Sequence, residues 1–172
     1  MSGVAITLRL DLEDAGVRKA LSAMIDLGRD LTPVLEDSGA ELESSTLERF
    51  QTNLAPDGTP WRPSLASQVT GKPTLVGEGF LRDSVNYRLD GTTAVEIGAG
   101  GVAADYAAVH QLGATITAKG GALRFSLATG GFATVKSVTI PARPYLGVSD
   151  QDARAIVDIV GDHWARAAGG AH

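Results

Sequence analysis

The spacing of hydrophobic residues changes from a period of two to a helical period along the N-terminal part of the chain. Residues 5–12 alternate strictly, with aliphatic side chains on one face, which predicts a half-buried strand. Residues 14–31 place apolar side chains three and four positions apart, which predicts a helix capped by Asp14. Thr32 and Pro33 indicate the start of a second helix, because a hydroxyl can cap the first turn and proline has no N–H to leave without a partner. The buried stripe predicted for this second helix comprises Leu35, Leu42, Thr46 and Phe50.

The second half of the chain shows mainly the alternation that is typical of strands. Residues 85–89 and 95–97 alternate around an Asp-Gly-Thr-Thr turn, which predicts a hairpin. Residues 104–112 fit a short helix. In residues 115–140 the alternation is interrupted by two pairs of glycines, which predicts a long hairpin arm that is flexible over residues 118–136. The expected cross-strand neighbours in the arm are Leu123, Phe125 and Leu127 on one strand, and Val138 and Ile140 on the other.

Two further segments complete the predicted architecture. Residues 53–80 contain prolines and an Asp-Gly turn, which indicates an ordered but irregular segment. Residues 150–168 have helical spacing, with Ser149 as the expected N-cap and acidic residues near the positive end of the helix dipole. Residues 169–172 are expected to form a disordered tail. The pattern therefore predicts an α+β fold, in which a mostly antiparallel β-sheet packs with two N-terminal helices and one C-terminal helix.

Composition narrows the class of protein. A chain of 172 residues with 44% hydrophobic residues fits a single globular domain. Cysteine is absent, which excludes disulfides, thiolate metal ligands and cysteine nucleophiles. The N-terminal residues do not have the pattern of a signal peptide, and no apolar run is long enough to predict a membrane span. The net charge of −5 argues against specific nucleic-acid binding, because proteins that bind phosphates usually carry a positive field.

Candidate catalytic and metal-binding residues are sparse. His110 lies in the sequence Asp-Tyr-Ala-Ala-Val-His-Gln-Leu-Gly-Ala, but no Gly-x-Ser-x-Gly elbow accompanies it. His110, His163 and His172 are far apart and include no His-x-x-x-His pair. The glycines at 98–101 lack the Lys-Ser/Thr of a phosphate loop. We therefore expect no catalytic residue, metal or cofactor, and interpret His110 as a structural histidine that is hydrogen-bonded through one or both ring nitrogens.

Four segments combine rigid turn chemistry with an aromatic or charged anchor. They are residues 55–63, 75–85, 105–114 and 140–149. Tyr106 and His110 are four residues apart and should share a helix face, and Arg143 can present its planar guanidinium to a carboxylate or to backbone carbonyls. We expect these segments to lock the fold, and their anchors are candidates for a subunit interface. The candidate structural or interface residues are Trp61, Tyr106, His110, Gln111, Arg143, Pro144 and Tyr145.

In this order, the four segments resemble the phage virion morphogenesis family, whose members are described as tail completion or head–tail joining proteins of tailed phages. The resemblance covers about residues 30–165 and leaves the role of residues 1–12 open. Glu78 departs from the family pattern, which usually has threonine or serine before the glycine. The matching pieces are Pro56-Asp57-Gly58-Thr59-Pro60-Trp61, Leu75 to Ser84, Tyr106 to Gly113, and Ile140 to Gly147.

The resemblance implies a non-enzymatic protein of the virion neck or tail, present in the host cytoplasm during assembly. It implies a cyclic ring of copies of this chain, expected to be a hexamer to match tail symmetry. The implied partners are the head connector or stopper and the tail terminator or tail tube, with DNA passing nearby without specific binding and no membrane involved. Two other functions remain open, namely a small non-viral adaptor or binding module and a hydrolase that uses His110.

Overall fold

A computed structural model describes residues 30–127 and 129–169 of the chain. The backbone divides into two compact units: within the described residues, the first holds Thr46–Val85 and Ala99–Gly147, and the second holds the remainder. The strand predicted at 5–12 lies outside the described residues. So does the helix predicted at 14–31, apart from its last two positions, which are not helical.

Helix α1 (Thr32–Thr52) begins at the predicted Thr-Pro signal, but its cap lies earlier. The carboxylate of Asp30 accepts a hydrogen bond of 2.9 Å from the Thr32 backbone N–H, and the Leu31 carbonyl accepts one from Leu35. Thr32 is therefore the first helical residue and not the cap, because a carboxylate two residues before it already accepts the free N–H. The buried stripe has a spacing of four and comprises Val34, Ser38, Leu42, Thr46 and Phe50, whereas Leu35 is only half-buried.

The segment predicted to be irregular contains a short helix, α2 (Leu65–Thr70). Ser64 caps it by accepting a hydrogen bond from the Ser67 backbone N–H, and Gly71 ends it with φ 71°. None of its residues is buried, so this helix has no core-facing stripe. The predicted Asp57-Gly58 turn is confirmed, with Gly58 at φ 80° and the Asp57 carboxylate accepting from the Thr59 N–H.

Three predicted elements are confirmed. Strands β1 (Val85–Asp90) and β2 (Ala94–Ala99) form the predicted hairpin. Helix α3 (Ala104–Leu112) follows a 3-10 turn. Helix α4 (Asp150–Gly169) starts with a reciprocal capping box, in which Ser149 Oγ accepts from the Asp152 N–H at 3.1 Å and Asp152 Oδ2 accepts from the Ser149 N–H at 2.7 Å.

The remaining strands form the arm, residues 114–140, as two antiparallel ladders in series. Strand β3 (Ala114–Thr117) pairs with β6 (Ser137–Ile140), and β4 (Leu123–Ser126) pairs with β5 (Phe132–Val135). Residues 118–122, which include both glycines of the first pair, lie opposite Lys136 alone. This bulge shifts the register, so the predicted neighbours were wrong. The observed partners are Leu123 with Val135, Phe125 with Ala133, Val138 with Ile116, and Ile140 with Ala114.

The described strands thus form three two-stranded sheets instead of one larger sheet, within a fold that is α+β as predicted. In the second unit, helix α1 and the β1–β2 hairpin approach closely. A Cβ added to Gly39 would meet the ring of Tyr87, and Glu43 Oε2 accepts a hydrogen bond of 3.2 Å from the Tyr87 N–H. His163 of α4 lies 2.6 Å from the Asp37 carboxylate of α1.

Candidate functional site

All seven predicted site residues lie in the first unit, around one extended piece of backbone. We call this piece, residues 141–147, the junction segment, because side chains from three other parts of the chain hold its backbone. The structure thus brings parts of the first, third and fourth sequence segments together, which the sequence alone did not predict. The side chains that bind this backbone are Arg49, Trp61 and Gln111, while Arg143 of the segment itself donates from its Nε to the Arg62 carbonyl.

Gln111 satisfies three backbone groups of the junction segment with one side chain. Its Oε1 accepts hydrogen bonds of 3.0 Å from the N–H groups of both Tyr145 and Leu146. Its Nε2 donates to the Leu146 carbonyl at 2.9 Å. None of the described strands pairs with the extended segment at this point, so the amide replaces a ladder partner.

Trp61 and Arg49 hold the other side of the same backbone. The buried Trp61 indole donates from Nε1 to the Pro144 carbonyl at 2.9 Å. Arg49 Nη1 donates to the carbonyls of Tyr145 and Gly147, each at 2.9 Å. Pro144 suits its position, because it contributes an acceptor and has no N–H that would need a partner.

A cluster of aromatic rings lies beneath the junction segment. The ring centroids of Phe50 and Trp61 are 5.7 Å apart in an edge-on arrangement, and those of Phe50 and Tyr145 are 5.3 Å apart. The Tyr145 hydroxyl donates to the Ala107 carbonyl of α3 at 3.2 Å. Burial, with a smaller contribution from Tyr106, raises the pKa of Tyr145 to about 12.

Glycines allow two close approaches to the junction segment. At Gly113, where φ is 73°, an added Cβ would lie 2.8 Å from the Ala142 backbone nitrogen. At Gly147, an added Cβ would lie 2.6 Å from the Pro56 ring. Both positions therefore require glycine for contact, and both have a positive φ that disfavours a side chain.

His110 does not have the hydrogen bonds that were predicted for its ring. Its backbone carbonyl accepts from the Arg143 N–H at 2.7 Å, but within the described residues its buried Nδ1 has no hydrogen-bond partner. The ring does share a face with Tyr106, as predicted, with centroids 5.9 Å apart and edge-on. Burial lowers the pKa of His110, and the positive charge of Arg143 lowers it further.

His110 and Arg143 line a pocket of about 500 Å³. Its other walls come from α2 and from the second sequence segment, where Leu75 holds the unusual φ of 67° for a residue with a side chain. Strained backbone of this kind is often found at binding sites. Among the described residues, no group of His, Asp or Glu is arranged to hold a metal ion. No helix of the same part of the chain is long and apolar enough to cross a membrane.

Comparison with known proteins assigns the chain to a family. The model of the phage virion morphogenesis family matches residues 12–165. The chain belongs to this family. The match contains all four sequence segments that meet at or near the junction segment, and it leaves out only the first residues and the end of the chain. Membership gives the chain a role in phage virion morphogenesis. Searches of curated proteins and of solved structures found no match.

Arg49 is the site residue that sequence reasoning missed. It is the only basic residue in α1 and lies next to Phe50, at the edge of the predicted apolar stripe. A single arginine beside the buried face of an otherwise acidic helix was therefore the available signal. Its carbonyl partners are nearly 100 positions away, at Tyr145 and Gly147, and no local pattern could identify them.

Proposed function

We propose that this chain is a non-enzymatic structural subunit of a tailed-phage neck. In this proposal it acts in tail completion and head–tail joining, as one member of a ring around the DNA channel. Family membership supports the virion role. The observation that supports the finer proposal most strongly is the contrast between a tightly held junction segment and an arm that exposes large apolar side chains.

The arm has the properties of a docking element. Ile116, Phe125 and Phe132 are 40%, 38% and 63% exposed, respectively. Each ladder has only two strands, so each strand retains an unpaired edge. Two-stranded ribbons are marginally stable in water and gain stability when a third strand or another surface covers them. A neighbouring subunit in an assembly can provide that cover.

A closed ring explains why one chain needs both a rigid body and an exposed arm. Head-to-tail interfaces join two different surfaces of the same subunit, and such interfaces close into rings. We propose that the arm of one copy docks on the next copy, with six copies matching tail symmetry. A subunit with a net charge of −5 would repel the phosphates of passing DNA, which favours passage over binding.

The environment of His110 supports a non-enzymatic role. A histidine that acts as a general base in a hydrolytic triad is oriented by a carboxylate at its other ring nitrogen. His110 Nδ1 has no such partner within the described residues. A hydrolase predicts turnover that disappears in His110→Gln, whereas the structural proposal predicts no turnover in either protein. Turnover that depends on this ring would contradict the proposal.

Complementation of a phage that lacks this protein tests the arm directly. We expect the double variant Phe125→Ser with Phe132→Ser to fold normally but to leave full heads and finished tails unjoined. The matched control is Thr134→Ser, which changes an arm side chain that is already polar and exposed. Electron microscopy of the neck would locate the wild-type chain, and its absence from joined particles would contradict the proposal.

Hydrogen exchange tests whether the arm becomes ordered in the assembly. We expect amides of residues 118–136 to exchange quickly in the free protein and slowly in the assembled neck, because cover from a neighbour suppresses local opening. Amides of the junction segment should be protected in both states. Equal protection of residues 118–136 in both states would show that the arm does not order on docking.

A further inference from the structure

The pocket beside the junction segment contains a buried positive charge for which the described part of the chain supplies no counter-ion. Arg143 is only 5% exposed, and its Nε donates to the Arg62 carbonyl at 2.8 Å. No carboxylate of the described residues forms an ion pair with it. Burial and the nearby charge of Arg62 both lower the pKa of Arg143. A buried guanidinium in this state is costly unless an anion compensates it.

His110 adds a second group that needs a partner, on the same pocket wall. Its Nδ1 is buried without a hydrogen bond, and the charge of Arg143 acts on its ring. Lys72 and Tyr106 also line the pocket, and Glu78, which is exposed, is the only carboxylate that residues 30–127 and 129–169 contribute to it. An anionic oxygen beside Arg143 would accept charge-assisted hydrogen bonds from its guanidinium, which are strong, and its negative charge would favour the imidazolium form of His110 on the same wall.

The surroundings of these polar groups are apolar and exposed, which favours a polypeptide over a small free acid. Phe80 lines the pocket and is 57% exposed. Helix α2 supplies part of the wall through Ala66, Ser67 and Thr70, and on the same short helix, outside the pocket lining, Leu65 and Val69 are 70% and 51% exposed. A small acid would leave these side chains in water, whereas a peptide segment with apolar residues would cover them.

We propose that this pocket receives an aspartate or glutamate carboxylate of a partner polypeptide, with apolar side chains of that partner beside it. Arg143 and His110 hold the carboxylate, while Phe80 and the exposed face of α2 contact the apolar side chains. This inference stands on the pocket alone and does not depend on the neck position or on the ring.

Histidine NMR titration of the full-length protein tests the proposal. The probe is the peptide N-acetyl-Leu-Glu-Leu-amide. We expect saturating peptide to raise the pKa of His110 by about one unit, because a carboxylate favours the charged imidazolium. His163, which pairs with Asp37 in the second unit, is an internal control whose ring resonances should not respond to the peptide. The peptide with glutamine in place of glutamate should bind at least about tenfold more weakly.

Two variants and one small anion complete the test. Arg143→Gln should abolish the rise, whereas Arg154→Gln, an exposed arginine of α4, should preserve it. An unchanged His110 pKa in the wild-type protein with the peptide would overturn the proposal, whatever the variants do. Sodium acetate acting as effectively as the peptide would show that the pocket takes free anions. A fall of the His110 pKa in Glu78→Gln without peptide would show that the chain supplies its own carboxylate.

Discussion

The junction segment and the arm are consecutive in the chain, but they are stabilised in different ways. Side chains that are distant in sequence hold the junction backbone, and the carbonyls of Pro144, Tyr145 and Leu146 each accept a bond from one of them. The arm depends almost entirely on its own ladders. Because ladders of two strands are easily opened and buried side-chain bonds are not, neighbouring stretches of one chain can differ greatly in stability.

Truncation of a buried ring at the junction segment, Trp61, should lower the free energy of unfolding far more than truncation of a ring in the arm. Trp61→Ala removes a buried ring and the bond to Pro144, and should lower the free energy of unfolding by about 3–5 kcal/mol. The matched change in the arm, Phe132→Ala, removes a largely exposed ring and should cost less than about 1 kcal/mol. Urea unfolding of both variants measures the two values. Equal losses would mean that the arm contributes to the folded core.

Substitution of Gln111 should cause the second-largest loss of stability, because it leaves buried backbone groups without hydrogen-bond partners. Gln111→Ala removes the acceptor for the N–H groups of Tyr145 and Leu146, and should cost about 2–3 kcal/mol. Gln51→Ala, at an exposed position of α1, should change stability by less than about 0.5 kcal/mol. If both variants unfolded at the same urea concentration, the hydrogen bonds of the Gln111 amide would not stabilise the junction segment.

Gly113 marks the point where α3 ends and the arm begins. Gly113→Ala combines a positive φ with a Cβ close to the Ala142 nitrogen, and should lower stability by about 2 kcal/mol. At Gly77, an added Cβ meets nothing within 4 Å, so Gly77→Ala is the matched control and should be nearly neutral. Thermal unfolding of the pair measures the difference, and a neutral Gly113→Ala would contradict the observed close approach.

The smallest effect should be a pH dependence from His110. The pKa of His110 in the folded protein lies below its ordinary value of 6.5, so the unfolded chain takes up a proton first as the pH falls. Stability from the neutral ring is fully present above pH 6.5 and is lost progressively as the pH falls below it. His110→Gln should remove this part of the slope in unfolding experiments between about pH 4 and 7. His163→Gln should retain it, and a wild-type slope in His110→Gln would assign the dependence to other groups.

Elements that depend on local interactions could be predicted from the sequence, whereas features that depend on contacts between distant residues could not. Local signals correctly predicted α3, the β1–β2 hairpin and the Ser149 cap, because periodicity and capping act within one or two turns. The role of the four segments as a subunit interface stays a prediction. The arm register was wrong because the bulge opposite Lys136 depends on pairing between distant strands. The unpartnered Nδ1 of His110 depends on how several segments pack, which periodicity does not describe.

The hydrogen bonds of Gln111 to the junction segment have a further consequence, which concerns how much the length and sequence of the arm can change. Gln111 lies just before the arm, and the Tyr145 and Leu146 groups that it binds lie just after it, so both ends of the arm are tied together independently of its tip. In a loop whose ends are already joined, doubling the length adds only about 0.6 kcal/mol of closure entropy. The tip of the arm should therefore tolerate insertions, deletions and substitutions. A tip of different length or sequence can be grafted there without unfolding the rest of the first unit.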